Sequence, residues 1–209
     1  MLTVWTMCTG TAYNPYYVQR LKREVDKWLT IPHQFICITE HDIPHVPLTM
    51  LPPTDWPGWW GKLGLFKPGV ASDWNLWLDL DVVVTASLDE LAMQYRECEL
   101  ACPANWAQSG HGGCQSSVMV WNGKCHAPYE MFNPEDARWP PVNDGGLWGD
   151  QEFLTLLRDS RQINVTHTEP DMVRSYKYHC RDGLPDNCRI VVFHGEPKPA
   201  DVRESWYQW

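Results

Sequence analysis

The chain has 209 residues, a net charge of −9 and 13 tryptophans. A chain of this length can bury a full hydrophobic core as one unit, so we expect residues 1–209 to form a single domain. The acidic balance argues against a broad nucleic-acid footprint, although it leaves a local basic groove open. No apolar run approaches the roughly 20 residues of a membrane span, and the first residues lack a basic segment, so we expect a cytoplasmic protein.

Cysteine and tryptophan usage adds two expectations. The eight cysteines are scattered without a CxxC pair, which fits reduced thiols better than a disulfide framework. His179, Cys180 and Cys188 could begin a zinc site, but their spacing matches no standard zinc pattern. Most tryptophans should belong to the core, and a surplus at the rim of a pocket would suit stacking on sugar rings.

The start of the chain has the pattern of a strand, a turn, a helix and a second strand. Leu2 to Cys8 is an apolar strand, a helix follows from about Asn14 to Leu29, and His33 to Thr39 is the next strand. This order opens a doubly wound sheet, in which ligands bind at the carboxyl ends of the strands. An ordinary turn between strand and helix is the alternative, because neither a GxGxxG nor a P-loop motif is present. The candidate nucleotide-binding residues at that edge are Thr9, Gly10, Thr11 and Tyr13.

The stretch from Asn75 to Val84 carries two carboxylates inside an apolar run. It predicts one buried strand, on which Asp79 and Asp81 share a face because strand side chains alternate. Two like charges so close together are costly to desolvate, so a cation is needed beside them, and Mg²⁺ or Mn²⁺ is the simplest candidate. The alternative is a strand that ends near Leu80, with both carboxylates in water.

Two further charged residues lie near predicted helices. Trp59 to Phe66 reads as a helix, and Lys62 falls off its apolar face, from where it could reach a phosphate. An exposed, solvated lysine is the alternative. Asp150 opens a later helix, where it could simply be the N-cap.

The end of the chain adds a histidine, a glycine and a lysine. Arg189 to His194 is a strand that delivers His194 to its carboxyl end. With Asp79 and Asp81 it could make an O,O,N ligand set for Mn²⁺ or Mg²⁺, which leaves positions open for a diphosphate. Lys198 would add a cation to the same phosphates, and the Gly195 backbone could approach them closely.

Taken together, these motifs resemble those of the GT-A glycosyltransferases, closest to the glycogenin/galactosyltransferase group (family eight) and its small bacterial and phage relatives. The DxD, D-Q and HxxGxxKP motifs of that group occur in the right order, the last with its glycine directly after the histidine. A basic residue before DxD and, loosely, an N-S/A-G-V strand are matched as well. The matching segments are Lys62, Asp79-Leu80-Asp81, Gln115 to Val120, Asp150-Gln151 and His194 to Pro199.

The resemblance implies a fold and an activity. The fold is α/β, a GT-A-like three-layer α/β/α sandwich with a mainly parallel central sheet. The activity is transfer of a sugar from a nucleotide diphosphate sugar, usually a UDP-sugar, with Mn²⁺ or Mg²⁺. Asp150 and Gln151 would lie beneath the donor sugar, with retention of anomeric configuration. An inverting reaction with Asp150 or Glu152 as base stays open.

The acceptor and two rival functions also stay open. Nothing in the sequence chooses between a saccharide, a protein and a modified nucleic-acid base as acceptor. Asp79-Leu80-Asp81-Val82-Val83 also fits the nucleophile motif of haloacid-dehalogenase-like phosphatases, although that motif usually lies on the first strand. A non-catalytic, tryptophan-rich sugar-binding module would not need both a metal set and a phosphate-facing lysine.

Overall fold

The structure is a computed structural model that describes residues 1–106, 113–136 and 147–209. The strands in these residues are β1 (Leu2–Met7), β2 (His33–Ile38), β3 (Thr49–Met50), β4 (Asn75–Leu78), β5 (Val82–Val84), β6 (Leu100–Cys102), β7 (Val118–Trp121), β8 (Val165–His167), β9 (Val173–Ser175) and β10 (Ile190–Val192). The α-helices are α1 (Pro15–Trp28), α2 (Asp89–Gln94), α3 (Ala127–Glu130), α4 (Asp150–Asp159) and α5 (Tyr176–His179). Three short 3-10 helices are Gly58–Phe66, Pro134–Asp136 and Pro199–Asp201.

The central sheet has seven strands in the order β3-β2-β1-β4-β7-β6-β8. Neighbouring strands run parallel except at β7, which is antiparallel to both β4 and β6. Six of the seven strands therefore point the same way, and the predicted α/β fold with a mainly parallel central sheet is confirmed.

Two hydrophobic cores lie on opposite faces of this sheet. Val4 and Leu76 belong to a core that includes the apolar face of α1. Their neighbours Trp5 and Trp77 belong to the other core, together with residues of the 3-10 helix Gly58–Phe66 and of α4. Since side chains alternate along a strand, this division places helices on both faces and gives three layers.

The first βαβ unit folds as its local sequence predicts. Asn14 caps α1, because its side chain accepts a hydrogen bond from the Tyr16 backbone N–H at 3.0 Å, and Pro15 occupies the first turn. Val18 and Val25 lie on the buried face of the helix. The strand and helix bounds differ from the predicted ones by one residue.

The stretch from Asn75 to Val84 is not one strand, and that prediction is wrong. β4 ends at Leu78, the chain turns at Asp79-Leu80-Asp81, and β5 joins a second sheet in which it runs antiparallel to β10. The buried side chain of Arg20 supports this turn by donating to the Leu80 carbonyl at 2.8 Å. The turn keeps both carboxylates out of the sheet interior, where desolvation would be most costly.

The segment Gly58–Phe66 is a 3-10 helix, and Trp60 to Phe66 are all buried. Lys62 is buried with them, at 3% exposure, so the alternative of an exposed, solvated lysine is wrong. All eight cysteines are free thiols, and Cys98 alone among them is not buried. Within the described residues, no helix is both long and apolar enough to cross a membrane.

Candidate functional site

A cavity of about 480 Å³ lies where β4 ends and the turn Asp79-Leu80-Asp81 begins. Residues from six separate parts of the chain form its wall. Its predicted site residues are Tyr13, Lys62, Asp79, Asp81, Asp150, Gln151, His194, Gly195 and Lys198. The fold therefore brings distant side chains together: Tyr13 and Lys198, for example, are 185 residues apart in the sequence and are hydrogen-bonded to each other.

Lys62 joins the first carboxylate of the turn to Asp150. Its Nζ lies 3.1 Å from Oδ1 of Asp79 and 3.1 Å from Oδ2 of Asp150. It also donates to the carbonyl and hydroxyl oxygens of Ser116, at 3.3 and 3.2 Å. Burial opposes the charge of Lys62, but the attraction of Asp150 and Asp79 outweighs it and raises the lysine pKa. The site therefore contains a permanent buried ammonium.

Asp150 does not cap α4, which was the alternative to a place in the site. Gly149 occupies the N-cap position of α4, and Asp150 is the first residue of the helix. The interpretation of Asp150 as a simple N-cap is therefore wrong. Its carboxylate is 5% exposed and is turned toward Lys62.

Asp81 forms a second ion pair, with Lys198. Lys198 Nζ lies 2.8 Å from Oδ2 of Asp81 and 2.8 Å from the hydroxyl of Tyr13, which itself donates to the same carboxylate oxygen at 2.9 Å. Burial and the charge of Asp79 raise the pKa of Asp81, against the opposing influence of Lys198 and Tyr13. Burial and the charge of Asp81 raise the pKa of Tyr13, which keeps its hydroxyl protonated. Each carboxylate of the turn thus has its own lysine.

His194 follows β10 and lines the same cavity. Its Nε2 lies 2.7 Å from the hydroxyl of Ser175 and accepts from the Trp106 indole N–H at 3.4 Å. Burial, together with the nearby charges of Lys177 and Lys198, lowers the pKa of His194, so the ring is neutral near pH 7. A neutral imidazole is the form that can ligate a metal.

The predicted metal ligands are Asp79, Asp81 and His194. Across residues 1–106, 113–136 and 147–209, no three His, Cys, Asp or Glu side chains are close enough to hold a metal ion. The three-residue ligand set therefore stays a prediction. The same is true of a zinc site at His179 and its neighbouring cysteines.

A second cavity, of about 560 Å³, adjoins the first, because Met7 and Tyr13 line both. The predicted nucleotide-binding residues form part of its wall: Thr9, Gly10, Thr11 and Tyr13. The Gly10 backbone has a φ of 63°, and its N–H donates to the Glu40 carboxylate at 2.6 Å. His41 Nε2 lies 2.7 Å from the Gly10 carbonyl, so residues just after β2 hold this turn in place.

Gly195 adopts a φ of 69°, which few residues other than glycine tolerate. A Cβ at this position would lie 3.1 Å from Nζ of Lys177. The glycine thus lets the backbone pass close to a lysine directly after His194.

Several contributors to the site are absent from the sequence-based predictions. Ser116 had a usable signal, since it lies within the loosely matched strand motif. Ser175 and Trp106 had none, because they reach His194 only through long-range contacts. Trp59 and Trp148 also line the cavity and were not singled out.

Comparison with known proteins shows the fold. No protein-family model matches the chain, and no curated protein matches it. Among solved structures, the glycosyltransferase GlyE of Streptococcus pneumoniae TIGR4 aligns with a TM-score of 0.68 at 13% identity, over 98% of this chain and 58% of that one. The galactosyltransferase LgtC, in complex with donor and acceptor sugar analogs, aligns with a TM-score of 0.59 at 13% identity, over 95% of this chain and 89% of LgtC. An active-site mutant of LgtC gives a TM-score of 0.62 at 11% identity.

The chain therefore has the fold of these glycosyltransferases, and the predicted resemblance is confirmed at the level of fold. It spans 58% of the length of the GlyE chain.

Proposed function

We propose that the protein transfers a sugar from a nucleotide diphosphate sugar, a UDP-sugar, to a hydroxyl group of an acceptor, with Mn²⁺ or Mg²⁺. One observation carries this proposal. The acidic turn Asp79-Leu80-Asp81, the lysine Lys198 and the pair Asp150-Gln151 line a single cavity, next to a second cavity that is lined by the turn after β1. The fold shared with known glycosyltransferases supports it.

The two cavities suggest how the donor lies. The nucleoside would occupy the second cavity, against Thr9, Gly10 and Thr11. Tyr13 lies at the boundary, so the diphosphate would pass it toward Lys198 and Gly195. The sugar would then extend toward Asp150 and Gln151.

The carboxylates fit a hard divalent cation. Lys62 contacts Oδ1 of Asp79 and Lys198 contacts Oδ2 of Asp81, so the second oxygen of each is a candidate ligand. Mg²⁺ is commonly bound by one or two carboxylates together with substrate phosphates, which makes two carboxylates a sufficient protein contribution. His194 could add a nitrogen ligand if its Nε2 exchanged its contacts with Ser175 and Trp106 for the metal. A bound cation would neutralise charge on the leaving diphosphate.

The chain's own residues account for the transfer step. The bond between the anomeric carbon and the phosphate oxygen breaks, and its electron pair leaves with the nucleotide. The Lys198 ammonium stabilises the charge that develops on this phosphate. The acceptor oxygen bonds to the anomeric carbon, and its proton passes to the departing phosphate. The products are the glycosylated acceptor and the nucleoside diphosphate.

We infer that the reaction retains the anomeric configuration. Gln151 accepts a hydrogen bond from the Ser116 backbone at 3.4 Å, which holds its amide at the start of α4, and an amide is a poor nucleophile. Asp150 forms an ion pair with Lys62. Its carboxylate is therefore placed to orient the Lys62 ammonium and the hydroxyl groups of the sugar. Attack on the same face as the leaving group is therefore favoured over a covalent intermediate.

The test is a panel of UDP-, GDP- and dTDP-sugars with Mn²⁺, read by thermal shift and by nucleotide release. We expect UDP-sugars to raise the melting temperature most. No response to any nucleotide sugar would refute the proposal, and release of phosphate from p-nitrophenyl phosphate that depends on Asp79 would favour the phosphatase. With an α-linked donor, NMR of the product should show an α linkage; a β linkage, lost in a folded Asp150→Asn variant, would overturn retention.

A further inference from the structure

Three tryptophans line the cavity that contains Asp150 and Gln151, and two of them, Trp59 and Trp148, are not fully buried. Trp148 is 47% exposed, although its backbone N–H is held by the Glu152 carboxylate at 2.6 Å. Trp59 packs against Gly149, because a Cβ at Gly149 would lie 3.1 Å from its indole nitrogen. Both tryptophans therefore line the cavity close to the start of α4.

We propose that Trp59 and Trp148 form a stacking platform for a pyranose ring of the acceptor, so that the acceptor is a saccharide. This proposal rests on the proposed function. A pyranose ring presents a face of C–H groups, and covering an exposed indole with that face removes apolar surface of both partners from water. The anchored backbone and exposed ring of Trp148 are what such a platform requires.

The position of the platform suits an acceptor. The donor sugar would lie at Asp150 and Gln151, and the platform borders the start of the same helix. A ring stacked there would present a hydroxyl oxygen to the anomeric carbon. That oxygen forms the new bond, the bond to the phosphate oxygen breaks, and the hydroxyl proton leaves with the nucleotide.

The other acceptor classes fit this cavity less well. A flipped base could stack on an indole, but nucleic-acid backbones require unpaired basic side chains. Neither lysine of the cavity is left for such a backbone, because Lys62 is buried between Asp79 and Asp150 and Lys198 serves the donor diphosphate under the proposed function. The chain as a whole carries a net charge of −9. An extended peptide would need a long groove or an open strand edge. The volume of about 480 Å³ is that of a small-molecule pocket.

The experiment measures transfer to three kinds of acceptor, with the UDP-sugar found above and Mn²⁺. The probes are methyl glycosides of glucose, galactose and N-acetylglucosamine, a single-stranded oligonucleotide, and a peptide rich in Ser and Thr. We expect nucleotide release that saturates with a methyl glycoside. Trp148→Ala should raise the KM for that glycoside roughly tenfold, the loss expected for one stacked ring, while the Kd for UDP stays the same.

Three further variants separate stacking from loss of structure. Trp148→Phe keeps an aromatic face and should retain most of the affinity for the glycoside. Gly149→Ala keeps both indoles but displaces Trp59, since Gly149 is in extended backbone that alanine adopts readily. It should raise the same KM by a smaller factor. Trp209→Ala removes an indole of similar exposure, 42%, that packs on Tyr17 and lines neither cavity, and should leave the KM unchanged.

The outcomes distinguish this proposal from the one on which it rests. If UDP-sugars bind but only the peptide or the oligonucleotide is glycosylated, the saccharide acceptor is wrong and the transferase proposal stands. If Trp148→Ala weakens UDP-sugar binding and leaves the acceptor KM unchanged, the platform serves the donor and the proposal is overturned. If no nucleotide sugar binds, the transferase proposal itself has failed.

Discussion

Replacing Lys62 with methionine should destabilise the protein severely. The substitution keeps an unbranched side chain of similar length but removes the ammonium, which lies 3.1 Å from both Asp79 and Asp150. Two carboxylates would then face each other without their shared cation. Asp150 has a side-chain exposure of only 6%, so water cannot replace that cation there.

The expected cost follows from the burial of the partners. Removing one member of a buried ion pair costs about 3–5 kcal/mol, because the remaining charge is left uncompensated. Asp79 retains 26% exposure, which lets water screen part of its charge, so the lower half of that range is expected. For a chain of this size, a cost of about 3–4 kcal/mol should lower the melting temperature by roughly 6–16 °C.

Guanidinium denaturation at pH 7 measures this cost, and two variants control it. Lys67→Met removes an exposed lysine just beyond the same 3-10 helix and should change stability by less than about 1 kcal/mol. Adding Asp150→Asn to Lys62→Met removes the buried charge and should recover about 1–2 kcal/mol. If Lys62→Met were as mild as Lys67→Met, the buried ammonium would not be what holds Asp79 and Asp150 together.

Three other predictions concern separate parts of the molecule. Lys198→Ala should weaken UDP binding roughly ten- to a hundredfold in calorimetric titration, the loss of one charged hydrogen bond, and an unchanged Kd would remove Lys198 from the phosphate site. Iodoacetamide at pH 8 should modify Cys98 first, because it is only partly buried, whereas burial raises the pKa of Cys37 to about 12; native-state labelling of Cys37 in peptide mass spectrometry would contradict this. The hydrogen bond to Glu204 raises the pKa of Tyr176 to about 12. The stability that this hydrogen bond contributes is therefore complete below about pH 10, the pKa of a free tyrosine, and is lost as the pH rises through 12. Urea denaturation should therefore show a steeper loss between pH 10 and 12 for the wild type than for Tyr176→Phe, and equal slopes would disprove it.

The opening of the fold was predictable because its signals are local. Short apolar runs define β1 and β2, and the helix between them carries its own cap and first-turn proline. Each of these signals involves residues within a few positions of one another. Residue propensity and hydrophobic periodicity are informative over such short sequence separations. The predicted bounds of β1, α1 and β2 are accordingly accurate to one residue.

The break after Leu78 was not predictable from the same kind of signal. An apolar run that crosses from one sheet to another has the same pattern as one long buried strand. What separates the two is pairing: β4 lies between β1 and β7, whereas β5 pairs with β10, more than 100 residues further along the chain. The burial of Lys62 has the same origin, since its partners Asp79 and Asp150 come from distant elements.

Asp79 and Asp81 need positive charge beside them, and two ammonium groups of the protein supply it. Lys62 neutralises the first carboxylate and Lys198 the second, so the turn is stable before any metal binds. Under the proposed function, a metal that binds Asp81 must compete with Lys198. The donor diphosphate offers that lysine an alternative partner, because Lys198 lies between Asp81 and the boundary residue Tyr13. Metal and donor binding are therefore linked through one side chain, and each should strengthen the other.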